Sequence, residues 1–474
     1  MDGKRVDALV IGAGPGGYAA AIRLSQLGKR TVLVDRKRLG GVCLNAGCIP
    51  SKALITAAKT YEELNSAESI GLRMPGKVSL DFGRMQDWKD GIVERLTKGV
   101  AALCKGNDVE FVAGDASFRA ANRIRIETGE GEIREIEAGA IVVATGSRPI
   151  EIPGFPFDER GILTSSDALS LRELPERLLV IGGGYIGLEL GTVFSKLGCE
   201  TTVLEMTDQL LPGFDRDVVQ VVRRNLKKRK VGIHLKTRAI GFERMNGGLL
   251  RVELESSRGG KRSIEVDKVL VTVGRAPNSE VRGMRELGVE MEGSFVRVDG
   301  RLRTSVPGIY AIGDVAGPPM LAHKAAKEAD LAAASIAGVA VEEVDPSVIP
   351  SVVFTDPEVA TVGCSERELD ARGVDYIAGK FPMAALGRAL TMGKTDGFVK
   401  TLADRSSHIL LGVQIVGPHA SDLISEAALA LELGSKVEDL SRTVHPHPTL
   451  SEALMESAKA LLGEAVHVQR ARKG

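Results

Sequence analysis

The chain has 474 residues, 43% of them hydrophobic, and its 62 basic and 62 acidic residues leave no net field that would favour nucleic acid or an acidic membrane. No apolar run reaches the roughly 18 residues of a membrane span, and we expect no signal peptide because the strand at 6–11 runs directly into a glycine loop. Five cysteines are too few for a secreted disulfide framework, so reduced, intracellular thiols are expected.

Two segments repeat at an offset of 170 residues. They are VIGAGPGGYAAAIRLSQLGKRTVLVD (10–35) and VIGGGYIGLELGTVFSKLGCETTVLE (180–205). Each predicts an apolar strand, a G-x-G-x-x-G turn, a helix and a second strand that ends on an acid, which is the fingerprint of a dinucleotide site. Glycine lets the backbone approach a pyrophosphate, the helix N-terminus stabilises its charge, and the acid accepts from a ribose hydroxyl. Two ordinary glycine-rich turns in α/β units are the alternative interpretation.

The rest of the chain indicates further domains. ATG (144–146) and VGRAPN (273–278) each follow an apolar strand and are interpreted as hinge segments. From about residue 348 the nucleotide pattern is absent, and strands alternate with an Ala- and Leu-rich helix after residue 422, which predicts a separate α+β domain. The predicted fold class is α/β, with two Rossmann-like dinucleotide-binding domains and a C-terminal α+β domain.

Cys43 and Cys48 stand in GGVCLNAGCIPSKAL (40–54). Their C-x4-C spacing differs from the C-x2-C of zinc sites and thioredoxins, and no second Cys pair or His cluster lies nearby, so we expect a redox pair and no metal. On one regular helix the two Cα atoms would be about 7 Å apart, whereas a disulfide prefers about 5.5–6 Å. An irregular turn at Cys43 is therefore predicted, and Asn45 and Gly47 are residues that permit it. Pro50 and Ser51 predict a helix start that stabilises a Cys48 thiolate.

These motifs, together with HPHPTLSE (445–452), closely resemble the flavoprotein disulfide reductases of the class I pyridine nucleotide-disulfide oxidoreductase family, and among them the dihydrolipoamide dehydrogenases. The resemblance spans nearly the whole chain. It implies that the first fingerprint binds FAD and the second binds NAD. It also implies that dihydrolipoamide is oxidised to lipoamide through Cys43 and Cys48, with FAD passing the electrons to NAD⁺.

The resemblance implies two sets of cofactor-binding residues. The FAD set is Gly12, Gly14, Gly17, Asp35, Gly41, Lys52, Gly114, Thr145, Gly146, Asp314, Met320, Leu321, Ala322 and His323. The NAD set is Gly182, Gly184, Gly187, Glu205, Ala239 and Gly274, and Glu189 is counted among the cofactor-binding residues as the partner of Lys52. Lys52 is expected beside the flavin and paired with Glu189. Glu205 should accept from a ribose 2′-hydroxyl and repel a 2′-phosphate, so NAD is predicted rather than NADP.

His447 matches the catalytic histidine of the resembling family, and Glu452 matches the acid that orients it. The pKa of an unperturbed histidine suits a base that deprotonates dihydrolipoamide. Two alternatives remain: Thr449 to Glu452 also reads as a helix capping box, and His445 is a second candidate for the base. In the family that the chain resembles, this histidine reaches the dithiol of the neighbouring subunit, which implies a homodimer.

The resemblance divides the chain into four segments. They are 1–147 (first part of the FAD-binding domain), 148–276 (NAD-binding domain), 277–347 (second part of the FAD-binding, central domain) and 348–474 (dimerisation or interface domain). The expected partner is a separate lipoyl-bearing acyltransferase of a 2-oxoacid dehydrogenase complex or a glycine-cleavage lipoyl protein, in the cytoplasm or an organellar matrix. The alternative function is another NAD(P)H-dependent, glutathione reductase-like disulfide reductase, because Tyr185 resembles a lid tyrosine of that enzyme.

Overall fold

The computed structural model describes residues 4–73, 76, 78–257, 259–340, 343 and 345–468. Its first unit is built on a parallel sheet. In spatial order the strands are Glu110–Ala120, Thr31–Asp35, Lys4–Ile11, Ile133–Val143 and Ile309–Ala311. Arg123–Thr128 pairs antiparallel with the outer halves of both long strands. The helices of this unit are Pro15–Gln26, Gly41–Ala46, Cys48–Asn65, Phe82–Gly106 and Ala322–Ala337.

The second unit contains a parallel sheet and a small antiparallel one. The parallel strands, in spatial order, are Gly232–His234, Glu200–Leu204, Arg177–Ile181, Lys268–Val271 and Ile162–Leu163. The antiparallel strands are Thr237–Arg244, Leu250–Ser256 and Lys261–Val266. The helices are Ser165–Leu169, Tyr185–Lys196 and Arg216–Lys228.

The third unit is an antiparallel sheet covered by helices. Its strands, in spatial order, are Ser351–Val353, Glu358–Gly363, Leu410–Gly417, Phe398–Asp404 and Tyr376–Pro382. Its helices are Glu366–Arg372, Gly387–Thr391, Ala420–Glu432, Val437–Arg442 and Glu452–Leu462.

Two short connections join the first and second units. Ser147–Pro149, which leaves the first sheet, pairs antiparallel with Arg275–Pro277, which returns from the second. Elsewhere Met291–Glu292 pairs with Phe295–Val296 in a small hairpin. The two chain crossings between the units therefore form one paired ribbon.

All three units meet at the helix Cys48–Asn65, which we call the dithiol helix. Leu54 of this helix belongs to the same hydrophobic core as Val180 of the second sheet and Val416 of the third. Burial of apolar side chains is worth about 25 cal/mol per Å², and a core shared among three units uses this energy to fix their relative positions. The dithiol helix therefore lies at the junction of the molecule.

Within the described residues, one segment is long and apolar enough to cross a membrane by length and composition, Gly41–Asn65. From the sequence, no apolar run long enough to span a membrane was expected, and this segment does not meet that expectation. In the structure it consists of two helices that break at Gly47, and the longer one packs against the helices Tyr185–Lys196 and Phe82–Gly106. A core helix passes the same test of length and composition.

Candidate active site

Cys43 and Cys48 form a disulfide with their Cα atoms 4.7 Å apart. Cys43 lies inside the helix Gly41–Ala46, and Cys48 is the first residue of the dithiol helix. The predicted position of the irregular turn, Cys43, is wrong, because the chain breaks at Gly47 (φ −145°, ψ −108°), one of the two residues that were expected to permit the turn. A Cβ at Gly47 would lie only 3.0 Å from the carbonyl oxygen of Val42, so glycine lets the two helices close on each other there.

The Asn45 side chain fixes the segment that carries Cys43. Its Nδ2 donates to the carbonyl oxygens of Leu39 and Gly41, both at 2.9 Å, and its Oδ1 accepts from Thr97 Oγ1 at 3.0 Å. Since the amide is bonded at both ends, the short helix is tied to the long helix Phe82–Gly106. Cys43 is half-buried and Cys48 is exposed in the single chain.

A charged pair lies one helical turn beyond Cys48. Lys52 Nζ donates to Glu189 Oε2 at 2.7 Å, and the Glu189 side chain is 5% exposed. The other carboxylate oxygen of Glu189 accepts from the backbone N–H of Phe354 at 2.9 Å. Lys52 Nζ also lies 4.4 Å from the centre of the Phe354 ring. The Lys52 ammonium, which belongs to the first unit, is therefore contacted by one residue of the second unit and one of the third.

The first glycine loop leaves space in front of its helix. A Cβ on Gly12 (φ +104°) would lie 2.2 Å from Ala144 O, and a Cβ on Gly17 would lie 1.7 Å from Gly12 O, so packing of the chain itself requires both glycines. A Cβ on Gly14 would meet nothing within 4 Å. A Cβ on Gly41 (φ +59°) would lie 2.5 Å from Gly14 Cα. The open space at the helix N-terminus fits a pyrophosphate.

The second glycine loop has the same arrangement, with two glycines that the packing requires and one at an open position. A Cβ on Gly182 would lie 2.5 Å from Thr272 O, and a Cβ on Gly187 would lie 2.3 Å from Gly182 O. Gly184, in the middle position, again has nothing within 4 Å of its Cβ position. The repeat in the sequence is thus a repeat in three dimensions, with the same free position in each copy.

The terminal acid of each repeat faces its own glycine loop. The Asp35 carboxylate accepts from the backbone N–H of Ala13 at 2.7 Å and from the backbone N–H of Lys37 at 2.8 Å. The Glu205 carboxylate accepts from the backbone N–H groups of Gly183 and Thr207, both at 2.8 Å. These bonds hold each carboxylate at the mouth of the loop, where it is suited to accept from a ribose hydroxyl as well.

Asp314 is held by the ribbon between the units. Ser147 Oγ donates to Asp314 Oδ2 at 2.5 Å, and Arg275 Nε donates to the same hydroxyl oxygen at 2.7 Å. In the same ribbon, Thr145 Oγ1 donates to the Asn278 carbonyl oxygen at 2.7 Å. Gly146 (φ +69°) and Gly274 (φ +136°) each directly precede one strand of this ribbon.

The predicted segment from Met320 to His323 lies at the start of a helix. Met320 and Leu321 precede the helix Ala322–Ala337, of which Ala322 is the first residue, and His323 Nε2 lies 2.7 Å from the carbonyl oxygen of Pro350. The helix N-terminus next to the first sheet can stabilise a negatively charged group.

Gly114 and Ala239 occupy strands. Gly114 lies where Glu110–Ala120 changes partner, and a Cβ there would lie 2.7 Å from Ile126 Cγ2, so close strand packing explains this glycine. Ala239 borders a register shift in Thr237–Arg244, on the antiparallel sheet rather than the parallel one. Tyr185 is the first residue of the second fingerprint helix and is 39% exposed.

The two histidines of HPHPTLSE differ in their surroundings. His447 Nδ1 lies 2.9 Å from Glu452 Oε1, and its side chain is 78% exposed. Both ring nitrogens of His445 have partners, Glu426 Oε1 at 2.8 Å and Thr443 O at 2.9 Å, and its side chain is only 4% exposed. The hydrogen bond to Glu426 raises the pKa of His445. His447 is therefore the more exposed histidine, and only its Nδ1 has a hydrogen-bond partner among the described residues.

Glu452 serves two groups at once. Its second carboxylate oxygen accepts from the N–H of Thr449 at 2.9 Å, so the backbone bond of the capping-box interpretation coexists with the bond to His447. Burial raises the pKa of Glu452, but the hydrogen bonds from Thr449 and His447 outweigh it, and the net pKa is lowered. No hydrogen bond joins His447 to the dithiol of its own chain in the described ranges.

One carboxylate cluster among the described residues has metal-like spacing. Asp215, Asp217 and Glu366 bring their oxygens within 4.8 Å of one another. Lys400 Nζ lies among them, at 3.0 Å from Asp215, 3.1 Å from Asp217 and 2.5 Å from Glu366. An ammonium group thus occupies the position that a cation would take.

Sequence reasoning missed several residues that organise this site. Phe354 was treated as the end of a strand, and Arg275 as part of a hinge. Sequence reasoning also assigned no role to a cluster of ion pairs that Lys196 and Arg229 form with Asp356. Lys196 lies 2.6 Å from Asp356, and both cations also contact Glu62 of the dithiol helix. In the sequence, a signal for this ion cluster is Asp356, the acid that follows the strand in SVVFTDPEV.

Comparison with known proteins gives consistent results. Residues 6–329 match the pyridine nucleotide-disulphide oxidoreductase family, and residues 349–458 match its dimerisation domain. Dihydrolipoyl dehydrogenases from Geobacillus stearothermophilus and Haloferax volcanii are 46% and 48% identical, over 98% and 97% of this chain and 97% of each relative. The solved structure of LpdA from Mycobacterium tuberculosis superimposes with a TM-score of 0.89 at 29% identity, covering 96% of this chain and 99% of LpdA.

These similarities confirm the predicted α/β fold class and an oxidoreductase that uses FAD and NAD. The dimerisation domain supports a homodimer, and the relatives named here come from bacteria and archaea. The chain therefore belongs to the pyridine nucleotide-disulphide oxidoreductase family, among its dihydrolipoyl dehydrogenases.

Proposed function

We propose that the protein oxidises dihydrolipoyl groups carried on a separate protein chain, with Cys43 and Cys48 as its redox pair. The observation that carries this proposal is the disulfide at the N-terminus of the dithiol helix, one turn before Lys52, in a chain 46–48% identical to dihydrolipoyl dehydrogenases. The redox pair is thus next to both a helix N-terminus and a cation.

The two glycine loops are suited to hold the cofactors. Gly14 and Asp35 would bind the pyrophosphate and ribose of FAD, and Gly184 and Glu205 would bind those of NAD. When bound, FAD supplies a carrier that accepts two electrons from the dithiol and delivers them as a hydride to NAD⁺. Glu205 would repel a 2′-phosphate, which supports NAD as the nucleotide.

The first chemical step exchanges disulfides. The partner's His447 takes a proton from one thiol of the dihydrolipoyl group, and the resulting thiolate attacks Cys43 Sγ. The Cys43–Cys48 bond breaks, and Cys48 leaves as a thiolate. The second substrate thiol then attacks the substrate sulfur of the mixed disulfide and passes its proton to the departing Cys43 sulfur, which closes the lipoyl ring and releases Cys43 as a thiol.

The position of Cys48 makes it a good leaving group. As the first residue of an 18-residue helix it lies at the positive end of the helix dipole, and the Lys52 ammonium adds a second positive charge one turn away. Both effects stabilise a thiolate. Cys48 is therefore assigned to the flavin side and Cys43 to the substrate side.

The unit boundaries support four segments: 1–147 and 277–347 for the FAD-binding domain, 148–276 for the NAD-binding domain and 348–474 for the interface domain. The expected partner is the lipoyl-bearing acyltransferase of a 2-oxoacid dehydrogenase complex or a glycine-cleavage lipoyl protein. The bacterial and archaeal relatives support a cytoplasmic location.

Subunit complementation tests the shared site. Differently tagged Cys48→Ser and His447→Ala subunits are co-expressed, and the mixed dimer is purified. If each site uses a cysteine pair from one subunit and a histidine from the other, one of its two sites stays intact, and about half of the wild-type activity is expected.

The matched control pairs a wild-type subunit with a subunit that carries both substitutions. A shared site predicts almost no activity for this dimer, because each of its sites lacks one group. The reverse pattern, with activity in the control and none in the first dimer, would show that the site belongs to a single chain. NADH-dependent turnover of glutathione disulfide in preference to lipoamide would instead favour the glutathione reductase-like alternative.

A further inference from the structure

Phe354 contacts both members of the charged pair beside the dithiol. Its backbone N–H donates to Glu189 Oε1 at 2.9 Å, and its ring lies 4.4 Å from Lys52 Nζ. Phe354 directly follows the strand Ser351–Val353 of the third sheet, whereas Lys52 lies on the dithiol helix and Glu189 on the second fingerprint helix. One residue of the third unit thus touches a pair formed by the other two.

The two contacts restrict different groups. The Glu189 carboxylate is buried, so its oxygens need partners, and the backbone of Phe354 satisfies one of them while Lys52 satisfies the other. The Lys52 side chain is 34% exposed, and a flexible lysine with access to water can adopt several rotamers. A ring below the ammonium favours one of them, since a cation near an aromatic face is attracted to its quadrupole.

We infer that Phe354 is a positioning residue that holds the Lys52 ammonium toward the redox centre. This inference rests on the proposed function, in which Lys52 lies beside the flavin and Cys48. The reduced dithiol carries a thiolate, and a fixed positive charge nearby stabilises it more than a mobile, hydrated one. The third unit thereby influences the redox equilibrium as well as supplying the partner's His447.

A second cation–ring pair in the same unit provides a matched control. Lys380 Nζ lies 3.6 Å from the centre of the Phe398 ring, and Phe398 is buried in the core shared by the three units. Phe398→Leu removes a cation–ring contact and a similar volume, but the cation of this contact is Lys380, not the lysine that follows the dithiol. Any loss due to general destabilisation should therefore appear in Phe398→Leu at least as strongly as in Phe354→Leu.

The experiment uses the FAD-loaded dimer and measures its redox equilibrium with the NADH/NAD⁺ couple. The long-wavelength absorption between the Cys48 thiolate and the flavin reports the reduced form. Phe354→Leu should lower the equilibrium constant for reduction by roughly 2- to 30-fold, the range of a cation–π contact, and weaken the band. Phe354→Tyr keeps a ring and should restore both toward wild type, and Phe398→Leu should leave both unchanged.

Three results would overturn the inference: wild-type values in Phe354→Leu, an equal loss in Phe398→Leu, or no recovery in Phe354→Tyr. If Phe354→Leu does not fold, Phe354→Met fills the same space with a flexible apolar chain and must show the same loss. Failure of the proposed function looks different, because the wild-type protein itself would then lack the band or would reduce glutathione disulfide in preference to lipoamide.

Discussion

The middle glycines of the two fingerprints allow cofactor binding to be separated from folding. Gly14 has extended backbone angles (φ −70°, ψ −176°) that alanine adopts freely, and a Cβ there meets no atom within 4 Å. Gly14→Ala should therefore leave the unfolding free energy of the apoprotein unchanged or raise it by roughly 0.4–1 kcal/mol, because alanine restricts the unfolded chain.

The same methyl group should obstruct FAD. Overpacking a closely fitted contact costs about 1–3 kcal/mol, which corresponds to about 5- to 150-fold weaker binding. FAD affinity is measured by titrating the apoprotein and following quenching of flavin fluorescence. Gly184→Ala, the same change in the second loop, should keep FAD bound and weaken NADH binding by a similar factor.

Gly12→Ala is the structural counterpart. Its Cβ would lie 2.2 Å from Ala144 O at φ +104°, so this substitution should destabilise the apoprotein itself. Wild-type FAD affinity in Gly14→Ala would refute the assignment of the first loop to the FAD pyrophosphate. Unfolding of the Gly14→Ala apoprotein would refute the claim that the position is open.

Three further predictions concern charged groups. Glu205→Ala combined with Met206→Arg should shift preference from NADH toward NADPH in steady-state kinetics, and unchanged NADH preference would contradict the role of Glu205. Because the pKa of Glu452 is lowered below its ordinary value of 4.5 in the folded protein, its carboxylate stabilises the fold above that pH and the effect is lost as pH falls through the folded pKa. Urea unfolding of Glu452→Gln should therefore show a deficit near neutrality that shrinks below about pH 4.5, and a constant deficit would count against this reasoning. Lys400→Met leaves three neighbouring carboxylates without their buried cation and should lower the free energy of unfolding in urea by about 3–5 kcal/mol. The control Lys380→Met, which removes a half-exposed lysine, should lower it by about 1 kcal/mol or less, and equal losses in the two variants would refute the prediction.

Much of the site could be predicted because its signals are local in sequence. Each dinucleotide fingerprint is a strand, a turn and a helix within 26 residues, and the glycines that it needs follow from contacts inside that unit, such as Gly17 against Gly12. Pro50 and Ser51 likewise predicted a helix start from short-range sequence, and the helix begins close by, at Cys48. The roles assigned to these residues remain predictions for the experiments above.

The break between the cysteines shows the limit of short-range reasoning. Distance along an ideal helix predicted that the chain must bend, and the Cα separation of 4.7 Å agrees with a bend. The bend was expected at Cys43, with Asn45 and Gly47 permitting it, whereas the chain breaks at Gly47, where it closely approaches Val42. A contact between two short helices depends on how they pack, which spacing alone does not determine.

The sequence by itself determined the two nucleotide-binding units, the dithiol and its helix, and two candidate histidines that it could not separate on residue chemistry. Only the tertiary structure buried His445 between Glu426 and Thr443 and left His447 exposed on Glu452. Likewise, only the tertiary structure brought Phe354 to a pair formed more than 160 residues earlier in the chain. Such contacts join distant segments through packing and burial, so no local pattern of residues encodes them.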